Sequence, residues 1–186
     1  PAAEFNHGTT RNLGPLFSNA GFLVYTVGDA RPLDEHWLSR LLEPVRRNPR
    51  VAAVCGAQVV PHEKDKNPLE WFRPVSQPEI REQHYETAAA FDSLPPGGKL
   101  QACAWDDVTA LYRRTALVEI PFQKTLYCED GLWAMEALRA GMTLAWNPAA
   151  RVYHYHLEDA AFTFKRTITV LYHRYRMFGL IPALPQ

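Results

Sequence analysis

The chain carries no excess of either charge: 20 lysines and arginines stand against 20 aspartates and glutamates in 186 residues. That balance argues against a general nucleic-acid surface, which needs a basic field. Long apolar runs are absent too. None could span a bilayer, and no signal-peptide pattern opens the sequence. Cysteine is scarce. Cys55, Cys103 and Cys128 are odd in number, widely spaced and without CxxC. They read as buried thiols in a reducing compartment, not as a disulfide frame or a zinc site. A cytoplasmic protein is the expectation. GxGxxG, Walker A, GxSxG and HExxH are all missing. Their absence removes the commonest dinucleotide, phosphate-loop, hydrolase and zinc-protease readings.

What is present suits one domain, or a large part of one. Thr10–Ala20 reads as a helix capped by Thr9 or Thr10. Phe22–Val27 is an apolar, β-branched strand. Leu33–Arg47 is an amphipathic helix whose face is Trp37, Leu38, Leu41, Leu42 and Val45, with Asn48-Pro49 stopping it. Val51–Val60 is a second buried strand. Strand, helix, strand with short links predicts a βαβ unit and parallel pairing. Pro61–Lys99 holds six prolines and weak periodicity. It reads as a long excursion with one short helix near Asn67–Arg73, of the kind that forms lids or binding loops; Gly97-Gly98 in it reads as a flexible turn. Gln101–Tyr112 is expected to be an irregular strand, Arg113–Val118 a short helix and Glu129–Ala140 a longer one ended by Gly141. Leu144–Trp146 and Arg151–His156 are expected as strands separated by an Asn147-Pro148 turn. Phe162–Phe178 is an amphipathic helix. Phe164, Ile168, Leu171, Tyr175 and Phe178 form its stripe, and Lys165, Arg166, His173, Arg174 and Arg176 lie opposite.

Three features can carry chemistry. Asp29 closes a buried strand, where open α/β sheets place ligand groups, though an Asp there also caps turns. Glu129-Asp130 begin a helix. Acids there complement the helix dipole, and a carboxylate in reach can also take a proton from a hydroxyl. In Val152-Tyr-His-Tyr-His156, alternation puts His154 and His156 on one face. Metal ligation and a polar or hydrogen-bonded face are both compatible with that spacing.

The order of these motifs resembles family 2 glycosyltransferases, closest to the rhamnosyltransferase-like subgroup. Phe5-Asn-His-Gly-Thr-Thr-Arg-Asn-Leu-Gly14 is similar to the asparagine-rich turn and Arg-Asn helix start of that family. Leu23–Pro32 resembles its strand ending in the metal-site Asp, and Val51–Gln58 its next strand. Glu129-Asp130 and Val152–His156 follow in the family's order. The resemblance implies an α/β fold of GT-A type, a Rossmann-like, mostly parallel mixed sheet flanked by helices. It implies a partial catalytic domain over residues 1–160 and a C-terminal helix and tail over 161–186. It also implies that the chain begins after the family's nucleotide-binding segment, leaving the Phe22–Val27 strand with an exposed edge that a second copy could share.

The roles implied are as follows. Asp29 meets the donor diphosphate through a divalent metal, Mn²⁺ or Mg²⁺, with His154 and His156 as further ligands; Ala30 and Arg31 stand where a second acid is usual. Asp130 is the base of an inverting transfer, with Glu129 beside it. Arg11, with Asn6 in the same loop, orders the donor. Trp105, Asp106 and Asp107 face the acceptor. The activity implied is transfer of a hexose or deoxyhexose, such as rhamnose, from a nucleotide-diphosphate donor to a saccharide or lipid-linked saccharide. The alternative is a non-catalytic module of the same fold that binds a glycan or protein. The terminal helix is expected to pack its stripe on the core or on a second subunit, with contact with the inner face of the membrane as the alternative. No nucleic-acid partner is expected.

Overall fold

A computed structural model describes residues 5–59, 79–156 and 158–181. Its elements are α1 (His7–Arg11), α2 (Gly14–Phe17), β1 (Phe22–Thr26), β2 (Arg31–Pro32), α3 (Trp37–Arg47), β3 (Val51–Val59), β4 (Arg81–Gln83), α4 (Ala88–Asp92), α5 (Pro96–Ala102), β5 (Thr109–Arg113), α6 (Arg114–Glu119), α7 (Glu129–Arg139), β6 (Thr143–Tyr153) and α8 (Ala160–Phe178).

The strands form one sheet in the order β1-β5-β3-β6-β2, with β4 also pairing to β6. Here the expected βαβ unit is corrected. β1 and β3 run in the same direction but do not pair, because β5 lies antiparallel between them. Burial explains the insertion: four of the five β5 residues are buried, whereas β1 is only half-buried and suits an edge. Beyond β3, the neighbour β6 is parallel. So β1, β3 and β6 all deliver their carboxyl ends to one side, and β5 starts there.

Two cores sandwich the sheet. On one face Leu41 and Val45 of α3 pack on Val51, Val54, Leu111 and Ala145; the predicted apolar face holds except for Leu38, which is exposed. On the other, α7 presses Trp133, Ala134, Ala137 and Leu138 into an aromatic cluster with Trp105, Tyr112, Phe122 and Trp146. The Tyr112 and Trp133 rings meet edge to face at 4.7 Å.

Several local expectations shift for identifiable reasons. The single helix over Thr10–Ala20 is two short ones. Asn6, not Thr9 or Thr10, caps α1, and Pro15, which has no N–H to continue a helix, sits in the first turn of α2. The Leu33–Arg47 helix begins only at Trp37, because Arg31 and Pro32 pair with Tyr153 and Val152 and hold the chain extended. The excursion to Lys99 is not irregular in its described part. Arg81–Gln83 adds to the sheet, Thr87 caps α4, and Pro96 opens α5, so Gly97-Gly98 lie in a helix rather than a turn. The Asn67–Arg73 helix lies outside the described residues. Gln101 and Ala102 complete α5, so the strand expected from Gln101 starts only at Thr109.

Asn147-Pro148 does not separate two strands. β6 runs through it as a bulge: Cys55 faces Trp146, and Ala57 faces Arg151. Asn147 is buried there. Its amide donates to the Arg40 carbonyl at 2.8 Å, and its oxygen accepts from Ala149 N–H at 3.1 Å. Gly56 lies opposite, and a Cβ on it would collide with the Ala150 carbonyl and press on Thr109. Gly56→Ala is therefore expected to cost about 2–3 kcal/mol by forcing the bulge off the strand. Urea unfolding checks this; a cost within 0.5 kcal/mol, about the level of a neutral surface change, would show that the bulge gives way freely.

Candidate active site

The carboxyl ends of β1, β3 and β6 gather the first group of side chains. Asp29 sits in the turn after β1, and His154 and His156 follow β6. One ligand atom from each of the three lies within 4.8 Å of the others. His156 Nε2 is 3.2 Å and His154 Nε2 3.6 Å from the Asp29 carboxylate. The imidazole rings meet edge to face at 4.7 Å, so the same-face placement read from alternation holds, although β6 ends at Tyr153. One carboxylate and two imidazoles form a donor set that suits a first-row divalent ion.

Gln58, on β3, is the residue the sequence reading missed. Its Nε2 donates to the Asp106 carboxylate, which leaves Oε1 to face His154 Nδ1 at 2.8 Å. A carboxylate only accepts, so the amide orientation is set by Asp106. Oε1 then requires N–H at His154 Nδ1, and the lone pair remains on Nε2, the atom facing Asp29. Burial disfavours the imidazolium at His154 and outweighs the opposing pull of the Asp29 carboxylate. The one available signal was position: Gln58 is a polar residue at the end of an otherwise apolar strand.

The second group surrounds Arg11. Its Nε meets Asp107 Oδ2 at 2.8 Å, and its Nη1 pairs with Glu129. Burial works against the Arg11 charge, but Asp107, Glu129 and Asp130 outweigh it and hold the guanidinium above its ordinary value. Asp107 is buried and accepts from the Tyr112 hydroxyl; burial pushes its carboxyl up while Arg11 and Tyr112 pull down. Asp130 follows Cys128, whose left-handed backbone (φ 62°) turns the chain into α7. Its carboxylate accepts from Gly131 N–H at 2.7 Å. Burial lifts it to about 6, with Asp106 and Glu129 adding repulsion against Gly131 and Arg11. Asp106, which accepts from Gln58, also acts electrostatically on both His154 and Asp130.

Not every predicted residue faces open space. The Asn6 amide donates to the Thr125 carbonyl at 2.6 Å, and its oxygen caps α1. Trp105 is buried in the aromatic cluster, with its indole N–H on the Tyr112 hydroxyl at 2.7 Å. Arg11 is committed to carboxylates. All three are placed to hold the site's shape.

The mixed sheet between helix layers, with acids and imidazoles beyond the carboxyl ends of its parallel strands, agrees with the α/β fold of GT-A type that the motif order implies. The solved structure of mannosyl-3-phosphoglycerate synthase from Rubrobacter xylanophilus has it, with a TM-score of 0.52 and 15% identity over 96% of this chain and 54% of that one. In sequence, the chain is similar to an O-antigen chain rhamnosyltransferase of Salmonella typhimurium, 30% identical over 158 residues, 82% of this chain and 47% of that protein. It is similar also to an O-antigen chain rhamnosyltransferase of Salmonella anatum, 31% identical over 160 residues, 83% of this chain and 47% of that protein. No family model matches. The resemblance to rhamnosyltransferase-like glycosyltransferases read from the motifs is thus borne out, and the chain spans about half the length of the curated relatives it matches.

Proposed function

We propose that this chain forms the metal- and acceptor-facing part of an inverting, family 2-type glycosyltransferase. It transfers a sugar, rhamnose by analogy with its relatives, from a nucleotide-diphosphate donor to a saccharide acceptor. The observation that carries this reading is convergence: Asp29, His154 and His156 meet at the same end of the sheet as the Asp130 cluster. Asp130, lifted to about 6, is ionised at neutral pH yet basic enough to accept a proton. In the transfer, the acceptor oxygen bonds to the anomeric carbon as the carbon–oxygen bond to the diphosphate breaks. The diphosphate leaves with that electron pair, and the hydroxyl proton goes to Asp130. Asp29, His154 and His156 would hold the divalent cation, Mn²⁺ or Mg²⁺, which when bound offsets the charge of the diphosphate. Gln58 keeps the His154 Nε2 lone pair available, and Arg11 orders Asp107 and Glu129 beside the base. The free cysteines fit a cytoplasmic setting.

Mn²⁺ titrated into the chain by calorimetry tests the first half of this reading. Measurable binding is expected, weakened about 10–100-fold by Gln58→Leu, as for other residues that orient a ligating histidine. Equal affinity in the two proteins would remove Gln58 from that role, and no binding in either would remove the metal. One fact favours a binding-only module of the same fold: Ala30 and Arg31 follow Asp29, and Arg31 stacks on Tyr153 at 5.2 Å instead of offering a second carboxylate. Product formation from a labelled donor separates the two readings.

A further inference from the structure

Helix α8 turns Phe164, Ile168 and Tyr175 of its apolar stripe away from the domain that carries it. Arg166, Val170, His173, Met177 and Phe178 lie on the protein side, where Arg166 pairs with Glu158 at 2.7 Å and His173 packs on Tyr127. Phe164, Ile168 and Tyr175, at i, i+4 and i+11, are 66%, 51% and 55% exposed, and Tyr172 beside them is equally open. The expectation that this stripe packs on the chain's own core therefore holds for Phe178, which is buried, and in part for Leu171, which is half-buried.

Its charge identifies the occupant. The chain as a whole is neutral, yet Ala160–Phe178 contains Lys165, Arg166, Arg174 and Arg176 and no acid. By helix periodicity Lys165 and Arg176 flank the stripe on one side and Arg174 on the other, and all three are exposed. Arg176 reaches back over Tyr172, with its guanidinium 5.9 Å from the ring centre. Cations flanking an aromatic stripe on both sides would sit at phosphate level while the rings enter the acyl boundary. A second copy of the same helix would instead bring like charges together. No helix among the described residues is long and apolar enough to cross a membrane, so α8 would lie on the surface.

We infer that α8 docks the domain on an anionic lipid surface through Phe164, Ile168, Tyr172 and Tyr175, with Lys165, Arg174 and Arg176 meeting the headgroups. Co-sedimentation of the full chain with phosphatidylcholine vesicles, with and without phosphatidylglycerol, tests this. Pelleting is expected only with the anionic lipid, and it should weaken with salt. Neutralising Lys165, Arg174 and Arg176 to Gln should cost roughly fivefold each, on the order of 100-fold together. Phe164→Ser with Ile168→Ser should abolish binding while leaving the circular dichroism spectrum and melting temperature unchanged, since both side chains are exposed. Absence of pelleting, binding indifferent to lipid charge, or a dimer in sedimentation velocity that the serine variant dissolves would each overturn the assignment.

Discussion

Asp130→Asn is expected to lower sugar transfer by about 10²–10⁴-fold, the range for losing a positioned general base, while raising the melting temperature by a few degrees. The two effects have one cause. Burial lifts the Asp130 carboxyl to about 6, so the folded state holds its proton more tightly than the unfolded chain does. A group raised in this way contributes stability that is complete below its unfolded value and lost as pH rises through about 6. At neutral pH the ionised carboxylate therefore strains the fold, on the order of 3 kcal/mol from the size of the shift. Asn removes the charge and keeps an oxygen for Gly131 N–H, so part of that energy returns. For the parent protein, the same shift predicts a rate that falls about tenfold per pH unit below about 6. Initial rates and thermal melts across pH 5–8 test both effects; turnover unchanged in the variant would strip Asp130 of the base role.

Arg11→Met is expected to destabilise the fold by about 3–5 kcal/mol at neutral pH, the usual consequence of stranding buried charges. Arg11 is the cation that meets Asp107 at 2.8 Å and also pairs with Glu129, and its charge offsets Asp130 too. Without it, the Asp107 and Asp130 carboxyls rise further in the folded state. Their protonation then recovers stability as pH falls, so the deficit should shrink between pH 8 and pH 5. Urea unfolding at both pH values checks it. A deficit under 1 kcal/mol, or one indifferent to pH, would mean that the acids find other compensation. Addition of Asp107→Asn to Arg11→Met should restore part of the loss, which would separate charge stranding from lost packing.

The candidate site was legible in pieces. Asp29, Asp130, His154 and His156 each carry a local sign: a strand end, a helix start, an alternating pair. Their meeting was inferred only through a resemblance in motif order. Gln58 had no such sign, because an amide at the end of a strand looks like any polar terminus. Arg11 and Asn6 were read as donor contacts, yet their side chains are spent on Asp107, Glu129 and the Thr125 carbonyl. Which partner an arginine takes depends on the carboxylates that folding buries beside it, and Asp107 and Glu129 are 96 and 118 positions away in the chain.

By itself the sequence determined the elements whose apolar period is strong and local: β1, most of α3, β3, α7 and α8, together with the acids that begin α7. These follow from side chains a few positions apart, which share a face whatever the rest of the chain does. Only the tertiary structure decided that β5 enters between β1 and β3, that Asn147-Pro148 is a bulge rather than a turn, and that most of the α8 stripe faces outward. Those outcomes depend on which strand the core can bury on both faces and which polar groups find partners there. Periodicity marks a face as apolar; what covers that face is settled by the fold.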